Sequence, residues 1–215
     1  MSAQPLPAQP ATAQPLPAQP ATARPAAPPA TGPLARACAS TRAVLAGIRP
    51  GQLGAATPCA SWDVRALINH FVGTADWAAG AVRTGDGTPA AGRDYAAGDY
   101  LASYDAAVQA AVDAFGAPGA LERAVRLPFG EFPGAFVLGI AVQDQFVHGW
   151  DLARAAGQPA DLDPGLAEDL LASARAVVSD AFRGPEGTAL FGPARQAGPG
   201  AGAAGRLAAF LGRPA

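Results

Sequence analysis

Apolar residues recur along most of this chain at helical spacing. From Leu34, the stretch LARACASTRAVLAGI carries a helical pattern that meets stop signals at Gly47 and Pro50. Residues 51–60 contain the turn-like TPC and predict a loop. A second helix is predicted from Ser61, a candidate N-cap, through WDVRALINHFVGTADWAAGAV to about Val82. Asp63 then falls in its first turn, where the helix dipole favours a carboxylate. Gly, Asp and Pro over 84–94 predict another loop. A third helix, roughly Ala96–Phe115, places Tyr104, Ala107, Val108, Ala111 and Phe115 on a 3.6-residue period.

The stretch AVRLPFGEFPG (124–134) is too rich in Pro and Gly for helix and predicts a short, hairpin-like extended link. A fourth helix is predicted from about Ala135 to Ala156, ending at Gly157. It is apolar on most sides, as a central helix is. A fifth starts at Asp163-Pro164, a cap followed by proline at the first helical position, and runs to about Phe182. A Gly/Pro-rich arm then closes on a short helix, RLAAFLG. The set predicts an all-α fold with a helical-bundle core and one brief extended link.

The first 32 residues break this pattern. Residues 3–12, AQPLPAQPAT, recur identically at 13–22, and the proline-rich run continues to residue 32. Proline removes backbone donors and blocks helix, and too few bulky apolar groups are present to offset ordering entropy. Residues 1–32 are therefore expected to be a disordered Pro/Ala/Gln-rich tail and residues 33–215 a single domain.

Composition narrows the functional classes. Aromatics make up 7% of residues, so large core anchors are few, and Trp62, Trp77 and Trp150 are expected to organise the packing. The net charge of −2, with no lysine and scattered arginines, argues against a nucleic-acid partner. No stretch reaches the ~20 apolar residues needed to span a bilayer. The N-terminus has neither the cationic nor the apolar region of a secretory signal. Cys38 and Cys59 alone do not make a disulfide framework, so a reducing cytoplasm is expected.

The candidate chemistry sits on two predicted helices. His70 and His148 are the two histidines of the chain, and Asp144 precedes His148 by four residues, on the same helix face. A His–carboxylate pair with a third ligand from a facing helix makes a tripod for one divalent metal ion and leaves a coordination position open. The alternative is a pair of core histidines satisfied by packing. Ala66, Gly73, Ala141 and Ala155 fall around the two faces and leave room either for a cavity or for close helix packing. Asp151, one turn beyond His148, is placed to accept the second imidazole N–H. Cys59 reads either as a small buried turn residue or as a thiol near the positive end of a helix; Cys38 reads as core. No glycine-rich phosphate loop, GxSxG or CxxC occurs.

Two longer stretches, TPCASWDVRALINHFVG (57–73) and QDQFVHGWDLARAAGQP (143–159), with the closing RLAAFLGR, resemble the mycothiol-dependent maleylpyruvate isomerase N-terminal domain family. That family lies within the DinB-like superfamily of metal-binding bundles. The likeness runs over residues 34–215, and the expectation is a short form that lacks the additional C-terminal domain of the full isomerase. The resemblance implies a four-helix-bundle core and a divalent metal, commonly zinc. Its ligands would be His70, Asp144 and His148, with Asp where the family often has Glu. It further implies a low-molecular-weight thiol, mycothiol, as cofactor, and thiol transfer or isomerisation of a small electrophilic substrate. A metal-dependent hydrolase and a non-catalytic metal-binding or stress-response bundle are the alternatives.

Overall fold

The computed structural model describes residues 30–89, 91–185 and 188–214. Residues 1–29 of the expected tail lie outside the described residues. Thr31 occupies the N-cap position of the first helix. Among the described residues lie six helices and one hairpin: α1 (Gly32–Ala46), α2 (Val64–Thr84), α3 (Tyr100–Gly116), β1 (Ala124–Leu127), β2 (Gly130–Pro133), α4 (Gly134–Ala156), α5 (Pro164–Val177) and α6 (Ala203–Phe210). Single 3-10 turns lie at Pro50–Gln52, Tyr95–Ala97 and Asp180–Phe182.

Aspartates set three helix starts. Asp63, Asp99 and Asp163 each accept a hydrogen bond from the backbone N–H three residues on, at Ala66, Ala102 and Leu166. This corrects two expected boundaries. α2 is capped by Asp63 rather than Ser61, and α3 begins at Tyr100 rather than Ala96, because the extended Gly98 and the Asp99 cap interrupt the apolar pattern. α5 stops at Val177, short of Phe182, where Val178 turns extended. α4 closes as expected on a left-handed Gly157, φ 67°, whose N–H bonds back to the last turn.

The link at 124–133 is an antiparallel hairpin with Val125 opposite Phe132 and Leu127 opposite Gly130. The fold is thus mostly helical with one small two-stranded sheet. α4 packs against α1 and α2, α3 lies on α2 and α1, and α6 bridges α5 and α4. α1 and α4 approach closely at Gly149, where a Cβ would collide with the Thr41 side chain. Tyr104, Phe71 and Phe146 are the largest fully buried side chains. Trp150 is also buried, whereas Trp62 and Trp77 are half-buried, so the core is organised less by tryptophan than expected.

One polar residue ties the four long helices together. Gln145 on α4 is fully buried. Its Oε1 accepts from Tyr104 Oη on α3 at 2.8 Å, and its Nε2 donates to Phe71 O on α2 at 2.7 Å. Its backbone carbonyl accepts from Thr41 Oγ1 on α1 at 2.7 Å. Satisfied on all sides, such a group fixes register, because a slip would strand several buried polar atoms at once. Among the described residues no helix is long and apolar enough to cross a membrane.

Candidate metal centre

Phe71 and Gln145, hydrogen-bonded to each other, directly follow His70 and Asp144, so the register of α2 on α4 brings those two side chains face to face. His70 Nε2 lies 3.0 Å from Asp144 Oδ1, and His148 Nε2 lies 3.6 Å from the same oxygen. The imidazoles meet edge to face, with centroids 4.7 Å apart. One donor atom from each of the three residues falls within 4.8 Å of the other two. A tetrahedral ion with ligand bonds of ~2.0–2.15 Å sets donors about 3.3–3.5 Å apart, and the observed separations bracket that spacing. Asp144 Oδ2 is buried with no hydrogen-bond partner among the described residues. Leaving such an atom unmatched costs ~1–3 kcal/mol, more for a charged group, and a cation would satisfy it. On donor chemistry, spacing and the orphaned oxygen, the trio fits a divalent metal. The side chains are 32% exposed for His70, 16% for Asp144 and 10% for His148, so the site opens on the His70 side.

Behind His148 stands a second layer of charge. Its Nδ1 lies 2.9 Å from Asp151 Oδ2, which assigns the ring proton to Nδ1 and leaves the Nε2 lone pair facing Asp144. This is the orienting contact that the one-turn spacing suggested. Asp151 is fully buried and paired with Arg213, whose Nη2 approaches Oδ2 at 3.0 Å. Burial opposes ionisation of Asp151, but the His148 hydrogen bond and the Arg213 charge outweigh it and hold the carboxyl below its ordinary range. Burial likewise opposes the Arg213 cation, and the Asp151 charge more than restores it.

Cys59 belongs to this layer. Its turn is shaped by Thr57, whose Oγ1 accepts from Cys59 N–H and lies 2.8 Å from the Trp62 carbonyl. The thiol points to Asp151 Oδ2 at 3.3 Å, with Arg213 Nη2 at 3.5 Å and His148 Nδ1 at 4.0 Å. Reading Cys59 as no more than a turn residue therefore falls short. Cys59, His148 and Asp151 also group within ligand distance of one another. That group already holds a guanidinium, which repels a second cation; His70, Asp144 and His148 form the group with room for positive charge.

Trp62 covers the imidazoles, its ring centroid 4.4 Å from that of His70 and 5.5 Å from that of His148. Of the small residues expected around the site, Ala66, Gly73 and Ala155 are half-buried, and a Cβ at Gly73 would meet only Tyr95 at 3.8 Å. Ala141 instead lies in the hydrophobic core at 1% exposure. Sequence reasoning missed Arg213, the placing of Trp62 over both imidazoles, and Gln145. Gln145 shares a helix face with Ala141, Val142 and Gly149, and a polar residue on that apolar face was the available signal; Arg213 had none.

Comparison with known proteins adds two findings. A family model described as the mycothiol maleylpyruvate isomerase N-terminal domain matches residues 34–153, more than half of the chain. Uncharacterized proteins from two strains of Mycobacterium tuberculosis are each 42% identical over 176 residues, covering 80% of this chain and 90% of the relative. The matched segment contains His70, Asp144, His148 and Asp151 and stops before Arg213.

Proposed function

This chain belongs to the mycothiol maleylpyruvate isomerase N-terminal domain family, and on that premise we propose that it holds one divalent metal ion, most readily zinc, through His70, Asp144 and His148 and delivers a small thiol, mycothiol, to a small electrophile. The observation that supports the reading is the Asp144 carboxylate, whose Oδ1 faces two imidazole Nε2 atoms while its Oδ2 is buried with no hydrogen-bond partner among the described residues. Bound there, the ion would supply a Lewis acid that lowers the pKa of a coordinated thiol and makes the thiolate available at neutral pH. The remaining work falls to the chain. Asp151 orients His148, Trp62 shields the imidazoles from water, and Gln145 keeps α2 and α4 in register. The thiol proton would pass to solvent, and the sulfur electron pair would form the new S–C bond as a π bond of the electrophile opens and its displaced electron pair takes up a proton from solvent.

A hydrolytic reading is less well supported. It needs a general base beside the site, and the nearby carboxylates are engaged: Asp151 with His148 and Arg213, Asp63 with the N-terminus of α2. The reading includes a DinB-like four-helix core of α1–α4, residues 33–215 as one domain, and a cytoplasmic location without nucleic-acid or membrane partners.

Elemental analysis of the purified protein tests the first part. One equivalent of divalent metal is expected, with His70→Ala and His148→Ala each losing it; a metal-free wild type refutes the metal centre. Cobalt-substituted Cys59→Ser protein tests the second. Added thiol should produce an intense near-ultraviolet charge-transfer band with release of a proton. Absence of the band in a cobalt-loaded sample refutes thiol delivery.

A further inference from the structure

Arg213 follows α6, far along the chain from residues 34–153, yet its guanidinium reaches the back of the site. Nε is 3.3 Å from both Asp151 oxygens, and Nη2 is 3.0 Å from Oδ2. That same Oδ2 lies 2.9 Å from His148 Nδ1. Asp151 is fully buried, and the Arg213 side chain is 15% exposed, so each charge depends on the other for compensation.

The path that brings Arg213 there is specific. After α6 the chain turns through Gly212, whose φ of 94° is a left-handed conformation that favours glycine. A Cβ at this position would fall 2.6 Å from Gly192 Cα. Arg213 N–H then bonds to Ala208 O at 2.9 Å, and Gly212 O accepts from Arg195 Nε at 3.0 Å. Arg183 secures both sides of this contact by donating to Gly192 O at 3.0 Å and Phe210 O at 2.8 Å. The turn is held against the arm before α6 and aims the guanidinium inward.

We infer that Arg213 is a positioning residue for the metal centre: by gripping Asp151 it holds that carboxylate against His148 Nδ1 and keeps the His148 Nε2 lone pair presented as a ligand. The inference rests on the reading of His148 as a ligand, but the geometry behind it does not require the metal. A neutral imidazole carries one proton, and its partners decide which nitrogen holds it. At Nδ1 the acceptor is Asp151 at 2.9 Å; at Nε2 the competing acceptor, Asp144 Oδ1, lies at 3.6 Å, beyond hydrogen-bond length. Without the two-point grip, Asp151 is free to turn, and the Cys59 thiol, 3.3 Å from Oδ2, competes for it. His148 then loses the contact that fixes its tautomer and its ring plane. A mere anchor for α6 would contribute stability without touching the tautomer.

Arg213→Gln, Arg213→Met and Arg213→Lys separate these roles. Met retains the packing of the aliphatic stem should Gln not fold, and far-ultraviolet circular dichroism checks each variant. In metal-free protein at alkaline pH, long-range 1H–15N correlation of the imidazoles reads the His148 tautomer. Wild type should show Nδ1–H, and Gln and Met a mixture with Nε2–H. Zinc affinity, by competition with a chromogenic chelator, should fall ~10–100-fold in Gln and Met, the range for partners that orient a liganding imidazole. Lys, which restores the cation, should recover the tautomer and most of the affinity. Folded Gln or Met variants that keep both the Nδ1–H tautomer and wild-type affinity would overturn the inference, as would a Lys variant no better than Gln. Should wild type bind no zinc, the functional reading fails, while the tautomer comparison still decides whether Arg213 controls His148.

Discussion

Two glycines on α4 should respond to alanine with opposite signs. Gly139 is exposed, and a Cβ there meets nothing within 4 Å. Gly139→Ala should therefore realise the helix-propensity gain of about 1 kcal/mol. Gly149 adjoins His148 at the α1–α4 crossing. A Cβ there overlaps Thr41 Oγ1 and comes within 3.1 Å of Thr41 Cβ and 3.2 Å of its Cα. The Cα cannot rotate away, so the helices must separate, and overpacking of this kind costs ~1–3 kcal/mol. The Thr41 hydroxyl also loses its 2.7 Å bond to Gln145 O, and a stranded buried group costs a further ~1–3 kcal/mol. Set against the propensity gain, Gly149→Ala should destabilise by about 3 kcal/mol. In a chain of this size the melting temperature should fall by roughly 6–12 °C, against a rise of roughly 2–4 °C for Gly139→Ala. Urea unfolding and thermal melts followed by circular dichroism measure both. Thr41→Ala removes the overlapping oxygen, so the Thr41→Ala/Gly149→Ala double variant should lose less than the two singles added together. If both glycine variants shift stability in the same direction, the packing argument is wrong.

Three other outcomes are expected. Asp151→Asn should reduce zinc affinity ~10–100-fold in chelator competition; an unchanged affinity would make Asp151 an ordinary buried ion-pair partner. Tyr104→Phe leaves Gln145 Oε1 without its donor and should cost ~1–3 kcal/mol in urea unfolding, whereas a neutral effect would mean that the four-helix network is slack. Burial pushes the Cys38 thiol up from 9.0 to about 11. Its folded-state value is raised, so its contribution is fully present below about pH 9 and is lost as pH rises through about 11, a change of ~2–3 kcal/mol. Unfolding of wild type and Cys38→Ala at about pH 8 and about pH 11 should show wild type losing that much more; parallel losses would contradict it.

The grouping of His70, Asp144 and His148 was legible because two histidines in a chain with clear helical periodicity leave few pairings, and the i,i+4 spacing of Asp144 and His148 fixes a shared face. The end of α4 at Gly157 and the start of α5 at Asp163-Pro164 were legible for the same local reason, since each boundary is written in adjacent residues. The starts of α2 and α3 were misread because apolar periodicity continues through Ser61 and Ala96, while the Asp63 and Asp99 caps that end it lie a few residues later. Arg213 was not legible at all. Its contact with Asp151 depends on the left-handed turn at Gly212 and on packing against Gly192, neither of which leaves a periodic trace. Cys59 was underestimated because its role depends on what the fold places opposite a turn.

The three hydrogen bonds on Gln145 also bear on how the molecule opens. No one of α1, α2 or α3 can lift from α4 without stranding a polar group that water does not reach. Opening of the whole core is therefore favoured over small local excursions, and the amides flanking Phe71 and Gln145 should fall in the slowest set in a hydrogen-exchange measurement. His70 and Asp144, one residue away on each side, inherit that protection. For the proposed metal centre this means that ion entry and exit would fall to a side-chain rotation of His70, the most exposed of the three residues at 32%, rather than to fraying of the helices that carry the site.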